Sequence, residues 1–315
     1  MRRRLTSFLL LLSALAYGEG WGVINVSVCN TRCEADYSAG MESQALLGMP
    51  VKVLDTHNEW TQIQTPEGYV HWTLSACVRQ MSRQELSDWN TSPQVVVTAL
   101  YSFVMDKPSH KASSVSDITA GDRLRLVAKR GRYYEVSFPD GRTGYLHRSQ
   151  CMPIEKWRKN LDNSADGIIR TAHTLNGIPY MWGGTSPKGV DCSGFVRTVL
   201  YMHDIIIPRN ASQQARKGKQ VSLDDDFAHL LPGDLLFFGE KAQDGKPARV
   251  QHVGIYIGDK RFIHSLGRVR VASFSPSDPL YDEYDLNRLL SATRFLPYVN
   301  KEEGLFTTDQ SEYYR

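Results

Sequence analysis

The stretch Gly189-Val190-Asp191-Cys192-Ser193-Gly194-Phe195 decides how this chain is read. Tyr180 and Trp182-Gly183-Gly184 stand just before it, and the apolar-periodic run Phe195, Val196, Val199 and Leu200 follows directly. That order predicts a turn and then a helix reaching about His203 or Asp204, with a cysteine among its first residues. Unsatisfied N–H groups and the positive end of the dipole at a helix start both favour thiolate, which makes Cys192 a candidate nucleophile. The plainer alternative is a buried small hydrophobe, a common fate of free cysteine.

Working outward, residues 164–175 place Ile168, Ile169, Ala172 and Leu175 on one side of a predicted helix, with Ser164 as a possible N-cap and Asn176-Gly177 and Pro179 ending it. Beyond the cysteine helix, residues 209–214 suit a short helix, and Asp224-Asp225-Asp226 reads as a solvated turn because three consecutive carboxylates cannot converge on one ion. Leu235-Leu236-Phe237-Phe238 is continuous and apolar, as a strand buried on both faces requires. Residues 252–258 alternate, Gly258-Asp259 predicts a tight turn, and residues 261–266 return. Residues 269–274 and 289–295 are further strand candidates.

That hairpin brings two histidines within about one residue of being cross-strand partners, His252 and His264, where side chains on one face lie roughly 5 Å apart. A cysteine nucleophile needs a base to take its proton and a group to fix that base's tautomer. His252 fits the base and His264 the orienting acceptor; each could instead be an isolated, satisfied histidine. Cys192, His252 and His264 are also zinc-type ligands, but no Cys-x-x-Cys or His-x-x-x-His pair anchors a metal, and none is expected.

The first half of the chain reads as short strands in two copies. Gly48-Met49-Pro50-Val51-Lys52-Val53-Leu54 lines up with Gly121-Asp122-Arg123-Leu124-Arg125-Leu126-Val127. An aromatic-centred strand follows each, a Gly-Tyr strand start comes next (Gly68-Tyr69, Gly144-Tyr145), and Ser75-Ala76-Cys77 and Ser149-Gln150-Cys151 close the copies. The pattern resembles bacterial SH3-like domains, small all-β barrels that often flank cell-wall enzymes. Polar residues 80–92 between them suit a linker or short helix, and residues 299–315 read as a loose tail.

Arg2-Arg3-Arg4, an apolar run from Phe8 to Leu12, and Ala14-Leu15-Ala16 together resemble a secretory signal peptide over residues 1–16. The run is too short to span a bilayer, so export to the periplasm or medium without stable membrane insertion is expected. Of 37 Lys and Arg, three lie in that leader, leaving 34 against 34 Asp and Glu. This balance gives no electrostatic footprint for nucleic acid. In an exported chain Cys29, Cys33, Cys77 and Cys151 are compatible with one or two disulfides, and three full pairings are possible.

In this order, Tyr180-Met181-Trp182-Gly183-Gly184, Asp191-Cys192-Ser193-Gly194-Phe195, Pro208-Arg209, Pro232-Gly233-Asp234-Leu235, His252-Val253-Gly254-Ile255-Tyr256 and Phe262-Ile263-His264-Ser265 resemble the NlpC/P60 cysteine peptidases over residues 164–296. The resemblance implies an α+β, papain-like catalytic domain (160–298) behind two SH3-like barrels (17–80 and 94–152). It implies catalysis by Cys192 as nucleophile, His252 as base and acid, His264 as orienting group and Tyr180 as an oxyanion or positioning group, with no cofactor. Family substrates are peptidoglycan stem peptides.

The whole architecture resembles the YkfC-type subgroup, γ-D-glutamyl-L-diamino acid endopeptidases acting on peptides with a free N-terminal L-alanine. There an aspartate and a serine flank the cysteine, matching Asp191 and Ser193, while the first SH3-like unit supplies a glutamate and a tyrosine. Glu42 and Tyr69 are the matches chosen, with Glu34 and Tyr37 as alternatives; the plainer reading makes Glu42 a surface residue and Tyr69 barrel core. A buried ammonium needs carboxylates to offset its desolvation, which Asp191 and Glu42 would supply. The resemblance leaves two other readings open, a broader endopeptidase or amidase on polymeric wall and a catalytically silent wall-binding protein. A monomer is expected.

Overall fold

The computed structural model describes residues 20–224, 226–243 and 245–315, so the leader-like residues 1–16 lie outside the described residues. Strands β1 (Gly20–Ile24), β2 (Val28–Arg32), β3 (Met41–Leu46), β4 (Pro50–His57), β5 (Trp60–Gln64), β6 (Val70–Leu74) and β7 (Val78–Met81) form one antiparallel sheet in the order β3-β2-β6-β5-β4-β1-β7. After helix α1 (Arg83–Thr91), strands β8 (Gln94–Val97), β9 (Tyr101–Met105), β10 (Ser114–Thr119), β11 (Arg123–Arg130), β12 (Tyr133–Ser137), β13 (Thr143–His147) and β14 (Cys151–Pro153) repeat it as β10-β9-β13-β12-β11-β8-β14. The second order is the first shifted by seven strands, so the two copies share one topology.

The matched glycines show why the repeat is visible in sequence. Gly48 and Gly121 both have positive φ, +80° and +94°, immediately ahead of the long strands β4 and β11. The two turns also meet: the Arg123 N–H donates to the Leu47 carbonyl at 2.9 Å, and a Cβ on Gly48 would lie 2.3 Å from the Arg123 carbonyl oxygen. Helix α1 carries a capping box, in which Ser82 and Glu85 each bond the other's backbone N–H.

Helices α2 (Ile154–Lys159) and α3 (Ala165–Thr174) lead into the third unit, α3 being capped by Ser164. A two-stranded ribbon, β15 (Thr185–Ser186) and β16 (Gly189–Val190), precedes α4 (Cys192–Tyr201); β17 (Ile205–Ile206) and α5 (Ala211–Gln214) follow. Strands β18 (Lys219–Val221), β19 (Leu235–Glu240), β20 (Arg249–Gly258), β21 (Arg261–Leu266), β22 (Arg268–Ser273) and, after helix α6 (Glu283–Asn287), β23 (Leu289–Arg294) form a six-stranded sheet ordered β18-β23-β19-β20-β21-β22. Phe195, Val196, Val199 and Leu200 of α4 share one buried core with Leu235, Phe237, Val253, Ile255 and Ile263 of the sheet. The apolar periodicity that predicts α4 is therefore the face that packs on β19 to β21. The result is an α+β domain behind two SH3-like all-β units.

Residues 299–315, expected as a loose tail, are packed. Strand β24 (Phe306–Thr307) pairs with β17, and Leu305 and Thr308 are fully buried. Asp204 collects Arg123 of the second SH3-like unit, Arg158 of α2 and the Thr308 hydroxyl at 3.2, 3.0 and 2.5 Å, which ties three segments together. Averaged composition hides this, because a few residues such as Leu305 and Thr308 suffice to anchor the segment. All five cysteines are unpaired. Among the described residues, no helix is long and apolar enough to cross a membrane.

Candidate active site

Cys192 is the first residue of α4, a helix buried along its whole length. Asp191 is its N-cap, its Oδ1 accepting from the Gly194 N–H at 2.7 Å. Gly194 lets the helix start sit against the glycine-rich approach: a Cβ there would lie 1.9 Å from the Gly184 carbonyl oxygen. Gly194→Ala must push α4 away from that backbone, with an expected cost of about 1–3 kcal/mol. Urea unfolding checks the loss, and a fall in turnover alongside it checks that the cysteine has moved.

The Cys192 sulfur lies 4.0 Å from the Gln251 carbonyl oxygen, so it faces the segment that carries His252. Burial, and after it the Asp191 charge, pushes the thiol up to about 11. This reverses the expectation of a thiolate favoured by the helix start, because desolvation of the anion outweighs the dipole. Burial, followed by repulsion from His264, holds His252 well below the usual histidine range, and burial takes His264 down to about 3. Thiol and imidazoles therefore rest neutral at pH 7, and a base must take the sulfur's proton as attack occurs.

His252 Nε2 and His264 Nδ1 are 2.8 Å apart, which leaves the Nδ1 of His252 for the thiol. The register differs from the expected one. Asp259 and Lys260, with positive φ of +50° and +60°, form the turn one residue later than expected, and a bulge between Tyr256 and Gly258 shifts the register back by one, so Gly254, not His252, stands opposite His264. The two rings meet diagonally, their centroids 5.1 Å apart. Asp285 of α6 completes the cluster: its Oδ2 lies 3.3 Å from His264 Nδ1, and both side chains are fully buried. Nothing in the sequence singles out Asp285.

Cys192 opens on a cavity of roughly 870 Å³, a size suited to a short peptide. Its wall includes Glu42, Tyr69, Tyr180, Asp191, Ser193 and Arg209. Every predicted site residue outside the two histidines thus lines one space, and the two histidines are buried. The alternatives Glu34 and Tyr37 do not line it; Tyr37 is 62% exposed and packs on Trp60. Tyr69 donates to Glu42 Oε2 at 3.1 Å, neither the isolated surface acid nor the core ring of the plainer reading. Burial, and then the Cys192 and Asp191 charges, raises Tyr180 to about 12, so its phenol stays a donor.

Glu42 reaches the catalytic domain because its strand is bonded there. Gln44, two residues on, accepts from the Thr185 N–H and the Ser186 hydroxyl, both at 2.9 Å. Arg197 of α4 pairs with Glu67 of the first SH3-like unit at 2.8 Å.

Arg209 changes the meaning of Asp191. Its Nη2 and Nη1 reach Asp191 Oδ2 and Oδ1 at 2.5 and 3.2 Å, Nη1 donates to Ser193 Oγ at 2.9 Å, and Nε donates to Ser43 Oγ at 3.0 Å. Gly183 N–H and Ser193 Oγ also donate to the same carboxylate. Asp191 is therefore saturated and its charge offset, which leaves Glu42 as the cavity carboxylate with no cation bound to it among the described residues. The Pro208-Arg209 pair stands out in the sequence, but nothing there aims the guanidinium at Asp191.

Residues 177–293 match the model of the NlpC/P60 family, and residues 32–76 match that of the bacterial dipeptidyl-peptidase Sh3 domain. A Bacillus cereus protein named gamma-D-glutamyl-L-lysine dipeptidyl-peptidase is 35% identical, over 82% of this chain and 76% of its own length. A Bacillus subtilis protein of the same name is 31% identical, over 71% and 72%. The crystal structure of an NlpC/P60 family protein from Bacillus cereus superposes with a TM-score of 0.72 at 27% identity, covering 88% of this chain and all of that one. With a cysteine at the head of a buried helix, a buried histidine pair and relatives matched along most of their length, the chain belongs to the NlpC/P60 family of cysteine peptidases.

Proposed function

We propose that the protein hydrolyses the γ-D-glutamyl–diamino acid bond of peptidoglycan stem peptides, releasing L-Ala-γ-D-Glu from peptides whose N-terminal L-alanine is free. The observation that carries this reading is the Glu42–Tyr69 pair of the first SH3-like unit, held at 3.1 Å in the wall of the cavity that Cys192 opens on. A carboxylate there offsets the desolvation of an incoming ammonium, and the barrel behind it closes the cavity to an N-acylated strand. Asp191 and Ser193, braced by Arg209, shape the wall beside the cysteine. A γ-linked glutamate keeps its α-carboxylate free, and Arg216 and Arg249 on the same wall offer it cations.

In the reaction, His252 takes the Cys192 proton as sulfur attacks the γ-carbonyl carbon. The oxyanion that forms meets the Cys192 N–H, which has no acceptor within its own helix, and the Tyr180 phenol. His252 then gives its proton to the departing amine, and water, deprotonated by the same ring, cleaves the thioester. The leader-like residues 1–16 support an exported enzyme acting on wall-derived peptides.

The test is one stem tripeptide, L-Ala-γ-D-Glu-L-Lys, offered with a free and with an acetylated N-terminus. Acetylation is expected to lower kcat/KM about 10–100-fold, the loss of one charge-assisted hydrogen bond. Equal cleavage of both would sink the dipeptidyl reading.

A further inference from the structure

We propose that Asp285 is a positioning residue for the cysteine–histidine machinery, the anionic end of a chain Cys192–His252–His264–Asp285. It rests on the peptidase reading given above and extends it by one group. Two observations carry the extension. Asp285 Oδ2 and His264 Nε2 are buried polar atoms with no hydrogen-bond partner among the described residues, and Oδ2 sits 3.3 Å from His264 Nδ1. One nitrogen from each histidine and one Asp285 oxygen lie within 4.8 Å of one another, so the carboxylate borders the contact between the rings.

The same three residues could be taken for a metal site, but the spacing argues otherwise. Two nitrogens on one tetrahedral zinc, each at about 2.0–2.1 Å, would stand roughly 3.3 Å apart. His252 Nε2 and His264 Nδ1 are 2.8 Å apart, the separation of two nitrogens sharing a proton.

The charge account follows from the reaction. When His252 accepts the Cys192 proton on Nδ1, the ring becomes a cation with a second N–H at Nε2. That N–H donates to His264 Nδ1, and the Asp285 carboxylate offsets the positive charge without taking the proton. A neutral His264 alone can accept the hydrogen bond but brings no charge. The local structure aims Asp285 for this: its N–H is held by the Asp282 cap at 2.9 Å, and Arg288 Nε takes Oδ1 at 3.0 Å, leaving Oδ2 for the histidines. Asp282 capping the same helix, Arg288 after it, Arg270 on β22, His264 on β21 and His252 on β20 are the titratable and charged groups around it. Burial, and then the Asp282 charge, raises the Asp285 carboxyl to about 6. The anion is lost as pH falls through that value, so an acid limb in kcat is expected there.

Asp285→Asn keeps the shape and the oxygen that Arg288 bonds. With the tripeptide, kcat should fall about 10–100-fold with KM within about twofold, as for loss of an outer positioning group, and the acid limb near pH 6 should vanish. Asp285→Glu, which keeps the charge, should recover part of kcat and the limb. Alkylation of Cys192 by iodoacetamide across pH reads the same coupling without any peptide. If the wild type leaves the tripeptide uncut while Asp285→Asn still shifts the alkylation profile, the substrate reading falls and this inference stands. Wild-type kcat and an unmoved alkylation profile in Asp285→Asn would overturn it. Where that variant does not fold, 15N shifts of the His264 ring in the wild type decide: they should move near pH 6 although His264 itself stays neutral, and a flat response from pH 4.5 to 8 overturns the proposal.

Discussion

Cys192→Ala is expected to remove peptidase activity by at least about 10⁴-fold while leaving the fold intact. No other group can replace the sulfur. The residues nearest to it in the chain, Asp191 and Ser193, are bound to Arg209, and the Ser193 hydroxyl donates to a carboxylate whose charge Arg209 already offsets. Structurally the change is small, since Cys192 is 8% exposed at a helix start that Asp191 still caps. Loss of one sulfur against a core of Val190, Phe195 and Val253 should cost no more than about 1–2 kcal/mol. Hydrolysis of the stem tripeptide and a urea transition, run on the same preparation, separate the two effects. Cys192→Ser should be equally inactive, because a buried hydroxyl ionises far less readily than a thiol already pushed up to about 11. Activity surviving in Cys192→Ala, or missing from the wild type, would favour a catalytically silent wall-binding protein.

The parts of this site that were legible in sequence are those fixed by local backbone rules. Asp191 as N-cap, Cys192 at the helix start and the buried strand at Leu235 to Phe238 each follow from a few adjacent residues, and the structure has them there. Gly48 and Gly121 exposed the repeat because a positive-φ turn before a long strand leaves its mark in both copies. Other features depend on what arrives from elsewhere in the chain. The turn at Asp259 and Lys260, together with the bulge between Tyr256 and Gly258, leaves His264 opposite Gly254, two residues from His252, without losing the contact between the rings. Asp285 sits in Asp282-Glu283-Tyr284-Asp285, which reads as solvated surface until helix α6 turns it under β21. The thiol's protonation does not follow from helix position, which is local, whereas the burial that dominates it comes from packing against the rest of the domain.

Asp191→Ala is the second change with a large expected effect, and Arg209 decides its direction. From sequence, removing this carboxylate should weaken binding of free-amine peptides more than it harms folding. Among the described residues the carboxylate is the only anion bonded to Arg209, whose side chain is 2% exposed. Without it the guanidinium keeps just the Ser43 and Ser193 hydroxyls, both neutral, and the cation is buried unpaired. Breaking a buried pair from one side costs about 3–5 kcal/mol, and the lost cap on α4 is worth about 1 more, though the two need not add. The expected result is a large drop in urea stability together with loss of turnover, since α4 carries Cys192. Asp191→Ala/Arg209→Met should regain much of the stability, because an apolar side chain of similar length removes the stranded charge. A single variant losing less than about 1 kcal/mol, with KM for the free-amine peptide raised tenfold, would return Asp191 to the role of ammonium reader and make Arg209 its mobile partner. Recovery in the double variant, with the preference for free over acetylated peptide retained, would leave that selection to Glu42.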